Sequence, residues 1–277
     1  MTKKRLQIVL VLYKIRLDEC ASYLSFKKNA EKLNVEYDLL IYNNCPEMMV
    51  ENSNNYTVVN AETNGMLAGA YNYALQKASE EKIEWLLLLD QDTEITTAYI
   101  EELSAFLNSE KNNEITVAVP VLKYNDITLS PKRIDNSRWK HYDLEKKKCY
   151  QDEKIIAYNS LTLIKIEFMC NLGGFSNEFP LDMLDYWYYY KLYEQNKKIY
   201  VFDAEIKHEL SLFDYQKNVS IERHKNRLSA EKKFIRNYLG KSYQRSYHFS
   251  LLKRFIKELI FYKNKTYAKI TWLELTS

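Results

Sequence analysis

Glycine is scarce in this chain, with five among 277 residues. Neither G-x-G-x-x-G nor G-x-x-x-x-G-K occurs, which removes the dinucleotide fingerprint and the phosphate loop. A nucleotidyltransferase would normally carry a glycine-rich basic loop near its N-terminus, and "VLVLYKIRLDE" has none. The four cysteines (Cys20, Cys45, Cys149 and Cys170) form no C-x-x-C pair and no metal-ligand spacing. They read as reduced thiols, and the expected location is the cytoplasm. No run approaches the roughly 20 apolar residues of a membrane span. The opening "MTKKRLQIVLVLYKI" lacks a small-residue cleavage site, so it reads as a first buried strand rather than a signal peptide. A net charge of only +3 gives no sign of nucleic-acid binding.

What is present is globular: 46 % hydrophobic and 28 % charged residues, enough to bury a core. Tyrosine is abundant, at 24 residues. Its apolar ring and polar tip suit wet clefts, although compositional drift in an A/T-rich genome accounts for the excess equally well.

Short apolar runs mark buried strands at 6–13, 37–42, 57–59, 84–89 and 115–120. Helical spacing falls between them at 20–33, 66–81 and 97–110, with Asn64 and Thr96 or Thr97 as N-caps. Alternation of strand and helix predicts an α/β fold, a doubly wound and mostly parallel sheet. Residues 123–154 are polar and read as a loop or hairpin excursion. A helix is expected from about Asp182 to about Asn196, and the chain turns helical and basic after residue 215. The expected division is a catalytic domain over 1–215 and a basic helical extension over 216–277.

The stretch "LLLLDQDTEI" ends a greasy strand on two acids, Asp90 and Asp92. Side chains at i and i+2 of a strand point the same way, and ligands of such sheets bind outside the carboxyl ends of strands. Two carboxylates there can converge on a hard divalent cation. They also suit a turn or a helix cap. Ahead of them, Asn64-Gly65 gives a tight turn, and Ala68, Gly69 and Ala70 thin the following helix. Further on, Asp182 and Asp185 are three apart and share a helix face, as catalytic groups or as cap and dipole residues.

The segments "IVLVLYK", "IYNN", "ETNGMLAGAYNYAL", "LLLLDQDT", "LGGFSNEFPLDMLDYWYYYKL" and "IKHELS" occur in that order. Their order and spacing resemble glycosyltransferase family 2 of the GT-A fold, and Asp-Gln-Asp resembles its rhamnosyltransferase-like branch. The resemblance covers residues 6–236. It implies a nucleotide-sugar site that includes Tyr13, Asn43, Asn64, Gly65, Asp90 and Gly174. Asp92 is implied as the direct metal ligand, completed by His208, with Mn2+ or Mg2+ as cofactor. The family's base lies six residues before a basic residue; Asp185 and Lys191 fit, and Asp182 is the runner-up. Two departures stand out. Asn43 replaces the usual aspartate, and Lys191 replaces an arginine, keeping the charge but losing bidentate pairing. Trp187 and Tyr188 are acceptor-site candidates, though aromatic helix positions are more often core. His224 and Arg227 resemble a weaker diphosphate-contacting motif, or an ordinary solvated helix face.

In the basic tail, Leu252, Phe255, Ile256, Leu259 and Ile260 fall at helical spacing within 249–265. That stretch suits either an anionic membrane surface or packing, against the catalytic domain or in a homodimer. The leading expectation is inverting, metal-dependent transfer of a sugar from a nucleotide donor to a glycan or lipid-linked acceptor in bacterial surface polysaccharide synthesis. The rhamnosyl branch points to dTDP-rhamnose, and UDP-hexoses remain open. A non-catalytic assembly partner at the membrane is the competing expectation.

Overall fold

The structure is a computed structural model that describes residues 5–208 and 219–277. Its strands in chain order are β1 (Arg5–Leu12), β2 (Glu36–Asn43), β3 (Thr57–Asn60), β4 (Trp85–Leu89), β5 (Ile115–Tyr124), β6 (Ile127–Ser130), β7 (Lys132–Ile134), β8 (His141–Asp143), β9 (Cys149–Tyr150), β10 (Ile155–Ile156), β11 (Thr162–Lys165) and β12 (Lys198–Lys207). Its α-helices are α1 (Ala21–Asn29), α2 (Met66–Glu80), α3 (Thr97–Asn108), α4 (Ile166–Asn171), α5 (Leu184–Glu194), α6 (Ile221–Tyr238), α7 (Lys241–Phe261) and α8 (Thr266–Thr276).

The described residues cluster into two compact units. One holds those of 1–131 and 144–209, the other those of 132–143 and 210–277. The β7–β8 hairpin, expected as part of a polar excursion, therefore groups with the C-terminal helices.

In the first unit the main sheet runs β3-β2-β1-β4-β11-β5-β12-β9. β1 pairs in parallel with β2 and β4, and β3 with β2. β11 runs antiparallel to both β4 and β5, and β12 is parallel to β5. The carboxyl ends of β1 to β5 and of β12 consequently share one edge, and the chain enters β11 from that edge. The central strands are apolar runs because both faces are covered. Every residue of β4 is buried, and α2 brings Ala68, Ala70, Ala74 and Ala78 inward. α3 is capped by Thr96, whose hydroxyl accepts from the Tyr99 N–H at 3.3 Å.

In the second unit, α6, α7 and α8 enclose polar contacts as well as apolar ones. Glu231 is buried and accepts from Arg227 Nε (3.1 Å), Arg254 Nη1 (3.0 Å) and the Tyr247 hydroxyl (3.1 Å). Trp139, beside the hairpin, packs its ring against Phe234 and Tyr247.

Candidate active site

β4 ends at Leu89 and delivers Asp90 to the shared carboxyl edge. The Ser160 hydroxyl, just ahead of β11, donates to Asp90 Oδ2. Asp90 Oδ1 is buried and has no hydrogen-bond partner. Gln91, between the two acids, accepts the Tyr13 backbone N–H at 2.8 Å and so ties the end of β1 to the acidic turn. The Cys20 thiol donates to the Gln91 carbonyl at 3.2 Å from below, and burial pushes that thiol up to about 11.

Asp92 follows with its side chain toward solvent. Desolvation by the surrounding chain, then the charge of Asp90, push its carboxyl up to about 6, while His208 pulls the other way. His208 leaves the end of β12 with its backbone N–H donated to the Lys123 carbonyl at 2.8 Å. Its Nδ1 lies 3.2 Å from the Thr93 hydroxyl. An imidazole held at Nδ1 offers Nε2 as a ligand atom. Thr93, next to Asp92 in the chain, thus brings His208 to the acidic turn.

Asp185 lies in the first turn of α5, where its Oδ1 accepts from the Tyr186 N–H at 2.9 Å. Tyr71 of α2 is fully buried, and its hydroxyl is pushed far up by burial, then by the charges of Asp90 and Asp185. Both acids therefore act on one phenol, which puts Asp185 in the same electrostatic neighbourhood as Asp90. Asp182 sits in the turn ahead of α5. The helix does not reach back to it, because Met183 is left-handed (φ 67°) and occupies the cap position without a side-chain bond.

Several expected residues play other parts. Asn43 is buried, with Oδ1 accepting from Cys45 N–H and Nδ2 donating to Cys45 O, Met48 O and Asn60 Oδ1. Its amide is spent on the loop after β2, so the role of accepting from a base does not match this geometry. Asn64 turns its Oδ1 to the Met66 N–H at 2.8 Å. Gly65 has an ordinary negative φ, and the left-handed residue of this turn is Met66 (φ 56°). Asn44, which sequence reasoning passed over, holds the turn on both sides. It accepts from Gly65 N–H and donates to Met66 O, each at 3.0 Å.

Gly174 has φ 97°, and a Cβ there would lie 2.6 Å from Asn72 Oδ1. Its close approach is to α2, where Asn72 accepts from Phe175 N–H (2.7 Å) and donates to Phe175 O (2.9 Å). Trp187 and Tyr188 are buried, and Tyr188 donates to Asn159 Oδ1 at 3.0 Å. These rings are core, which corrects the expectation that they face an acceptor. Tyr13, by contrast, keeps its ring 43 % exposed at the edge. His224 is buried against Thr271, and Arg227 pairs with Glu231, so both belong to the packing of the second unit.

Among the described residues, no group of three or more His, Cys, Asp or Glu could hold a metal ion. Two ligand atoms from the chain suit a cation that draws its remaining oxygens from a bound phosphate ligand. The orphaned Asp90 Oδ1 and the raised Asp92 are what such a charge would relieve, so the residues fit a divalent metal.

No curated protein matches the sequence. Among solved structures, GalNAc-T7 with UDP, GalNAc and Mn2+ aligns at 14 % identity and TM-score 0.59, over 98 % of this chain and 55 % of that one. The chain thus spans about half of that protein's solved length. The mannosyltransferase PcManGT from Pyrobaculum calidifontis, in complex with GDP-Man and Mn2+, aligns at 12 % and 0.54, over 99 % and 74 %. TarS of S. aureus in complex with UDP-GlcNAc aligns at 12 % and 0.50, over 99 % and 91 %. At these identities the likeness is one of fold. The model of glycosyl transferase family 2 matches residues 42–169, a segment that includes Asp90, Asp92 and Ser160. The acidic turn lies inside the segment that resembles glycosyl transferase family 2, and a GT-A-like, mostly parallel sheet surrounds it.

Proposed function

We propose that this protein transfers a sugar from a nucleotide-linked donor to an acceptor hydroxyl, with inversion and with a divalent cation bound. The observation that carries the reading is the acidic turn at the carboxyl edge of the sheet, where Ser160 holds Asp90 and Thr93 holds His208. Asp90 and Asp92 stand at the end of β4, and Asp185 shares with Asp90 its effect on buried Tyr71. Inverting transfer needs a base for the acceptor proton, separate from the groups that serve the leaving diphosphate. Asp185, at the start of α5, takes the first role. Asp92 and His208 are the chain's ligands for Mn2+ or Mg2+, and a bound cation supplies positive charge against the departing diphosphate. Asp90, fixed by Ser160, faces the ribose or the outer shell of the metal. Thr93 keeps the His208 ring oriented, and Tyr13 offers an open aromatic face for the base.

The likeness to proteins solved with UDP-, GDP- and GlcNAc-bearing ligands supports a nucleotide sugar as donor. The rhamnosyl reading rests on Asp-Gln-Asp alone. The acceptor we assign, a glycan or lipid-linked glycan of bacterial surface polysaccharide synthesis in the cytoplasm, rests on the resemblance in motif order. A panel of UDP-, GDP- and dTDP-linked sugars with Mn2+ or Mg2+ tests the proposal. Transfer should stop in chelator. An Asp185→Asn protein should bind donor as before and turn over about 100-fold or more slower. Full turnover in chelator removes the metal role, and normal turnover by Asp185→Asn removes the base assignment.

A further inference from the structure

In the second unit, α7 turns its apolar side outward. Its inward positions are Tyr243, Tyr247, Leu251 and Glu258, all buried, with Arg254 half-buried beside them. Tyr247 and Arg254 reach Glu231, and Glu258 accepts from the Thr271 hydroxyl at 2.5 Å. Polar groups thus occupy much of the side where an amphipathic helix normally places its apolar stripe. Phe249, Leu252, Ile256, Leu259 and Ile260 all face solvent, with Phe249 65 % and Ile260 63 % exposed. Their spacing of three and four puts them on one face. The surface continues onto α8: Phe255 packs on Trp272 with ring centroids 5.0 Å apart, and Trp272 stays exposed beside Leu273.

Charge decides what this face meets. Lys253 and Lys257 flank the stripe, and Lys263, Lys265 and Lys269 follow, all exposed. From 241 to 273 the only acid is Glu258, and it is buried. A contact between two copies about a two-fold axis would set this patch against itself, lysine facing lysine. An anionic lipid surface accepts both parts at once: the aliphatic side chains enter the headgroup boundary, and the lysine ammonium groups stay at headgroup level. We propose that the outer face of α7, continued by α8, docks the protein on an anionic membrane surface. The proposal goes beyond sugar transfer, and its test reads binding rather than turnover.

Full-chain protein is sedimented with vesicles of phosphatidylcholine alone or of phosphatidylcholine mixed with phosphatidylglycerol, and its mass in solution is measured by light scattering. Binding should require the anionic lipid and weaken with salt. Ile256→Glu with Ile260→Glu should abolish pelleting while the melting temperature stays, since both side chains are exposed. Lys253→Gln with Lys257→Gln keeps the apolar face. It should weaken binding about 25-fold, roughly fivefold per lysine. Wild-type protein that does not pellet, or that binds both vesicle types equally, overturns the proposal. So does a solution dimer that the isoleucine variant makes monomeric, because a second copy would then cover the face.

Discussion

The Ser160 hydroxyl donates to Oδ2 of Asp90 from 70 residues further along the chain. The antiparallel entry into β11 makes this possible, because it returns the chain to the edge where β4 ends. Asp90 is thereby held by one oxygen while the other, Oδ1, stays buried without a partner. Ser160→Ala should leave both oxygens unheld at the most acidic point of the edge. Loss of such a supporting bond typically costs 10–100-fold in metal affinity or activity. We expect kcat/KM to fall by about tenfold or more, with the melting temperature little changed. Ser160→Thr, which retains the hydroxyl, should recover most of the loss.

Asp92 makes metal binding pH-dependent. Its carboxyl must lose a proton before it can hold a cation, and desolvation by the neighbouring chain, then the Asp90 charge, raise that carboxyl to about 6. Mn2+ affinity, measured by calorimetry, should be flat above about pH 7 and fall about tenfold per unit below pH 6. Folding shows the opposite sign. A carboxyl raised above its unfolded value favours the folded state while protonated, and that contribution is lost as pH rises through 6. Metal-free protein should therefore melt lower at pH 7 than its other groups dictate, and added Mn2+ should restore it. Asp92→Asn should melt higher than wild type without metal at pH 7 and gain nothing from Mn2+.

Much of the first unit was legible in the sequence. "EWLLLL" and "LQIVLVLY" are continuous apolar runs because both sheet faces are covered, and β4 and β1 lie within a residue of the expected bounds. α2 and α3 likewise begin where their spacing predicts. Residues 123–154 were not legible, since strands such as Cys149–Tyr150 and Ile155–Ile156 are too short to show alternation. At the site, Asp90 and Asp92 announce themselves because they break an apolar run. Ser160 and Thr93 do not. A hydroxyl becomes functional through a distant partner, Asp90 in one case and His208 in the other. Trp187 and Tyr188 misled for a related reason: α5 carries aromatic residues around much of its girth, so spacing alone cannot say which face is inward.

Gly174 and Asn72 should behave as a coupled pair. Gly174→Ala adds a Cβ at a positive φ and 2.6 Å from Asn72 Oδ1. Strain of this kind costs about 1–3 kcal/mol. Asn72→Ala gives up two hydrogen bonds to the Phe175 backbone, at about 1 kcal/mol each. The double variant removes the atom that the new Cβ would meet. It should lose less than the sum of the single changes, and urea midpoints of the four proteins would show this. Additive losses would mean that the 173–175 turn does not depend on its approach to α2.

His224 should make the C-terminal helices acid-sensitive. Its Nε2 lies 3.1 Å from the Thr271 hydroxyl, and that hydroxyl spends its single proton on Glu258. Burial first, then the charge of Arg254, hold the imidazole down at about 4. An unfolded histidine takes up its proton near pH 6.5. The contribution of neutral His224 is thus whole above 6.5 and lost as pH falls from there to 4, by up to about 3 kcal/mol. His224→Gln keeps a polar partner for Thr271 and has no proton to gain. It should flatten the stability profile between pH 6.5 and 4 in urea titrations. A variant that keeps the wild-type slope would place the acid sensitivity elsewhere in the fold.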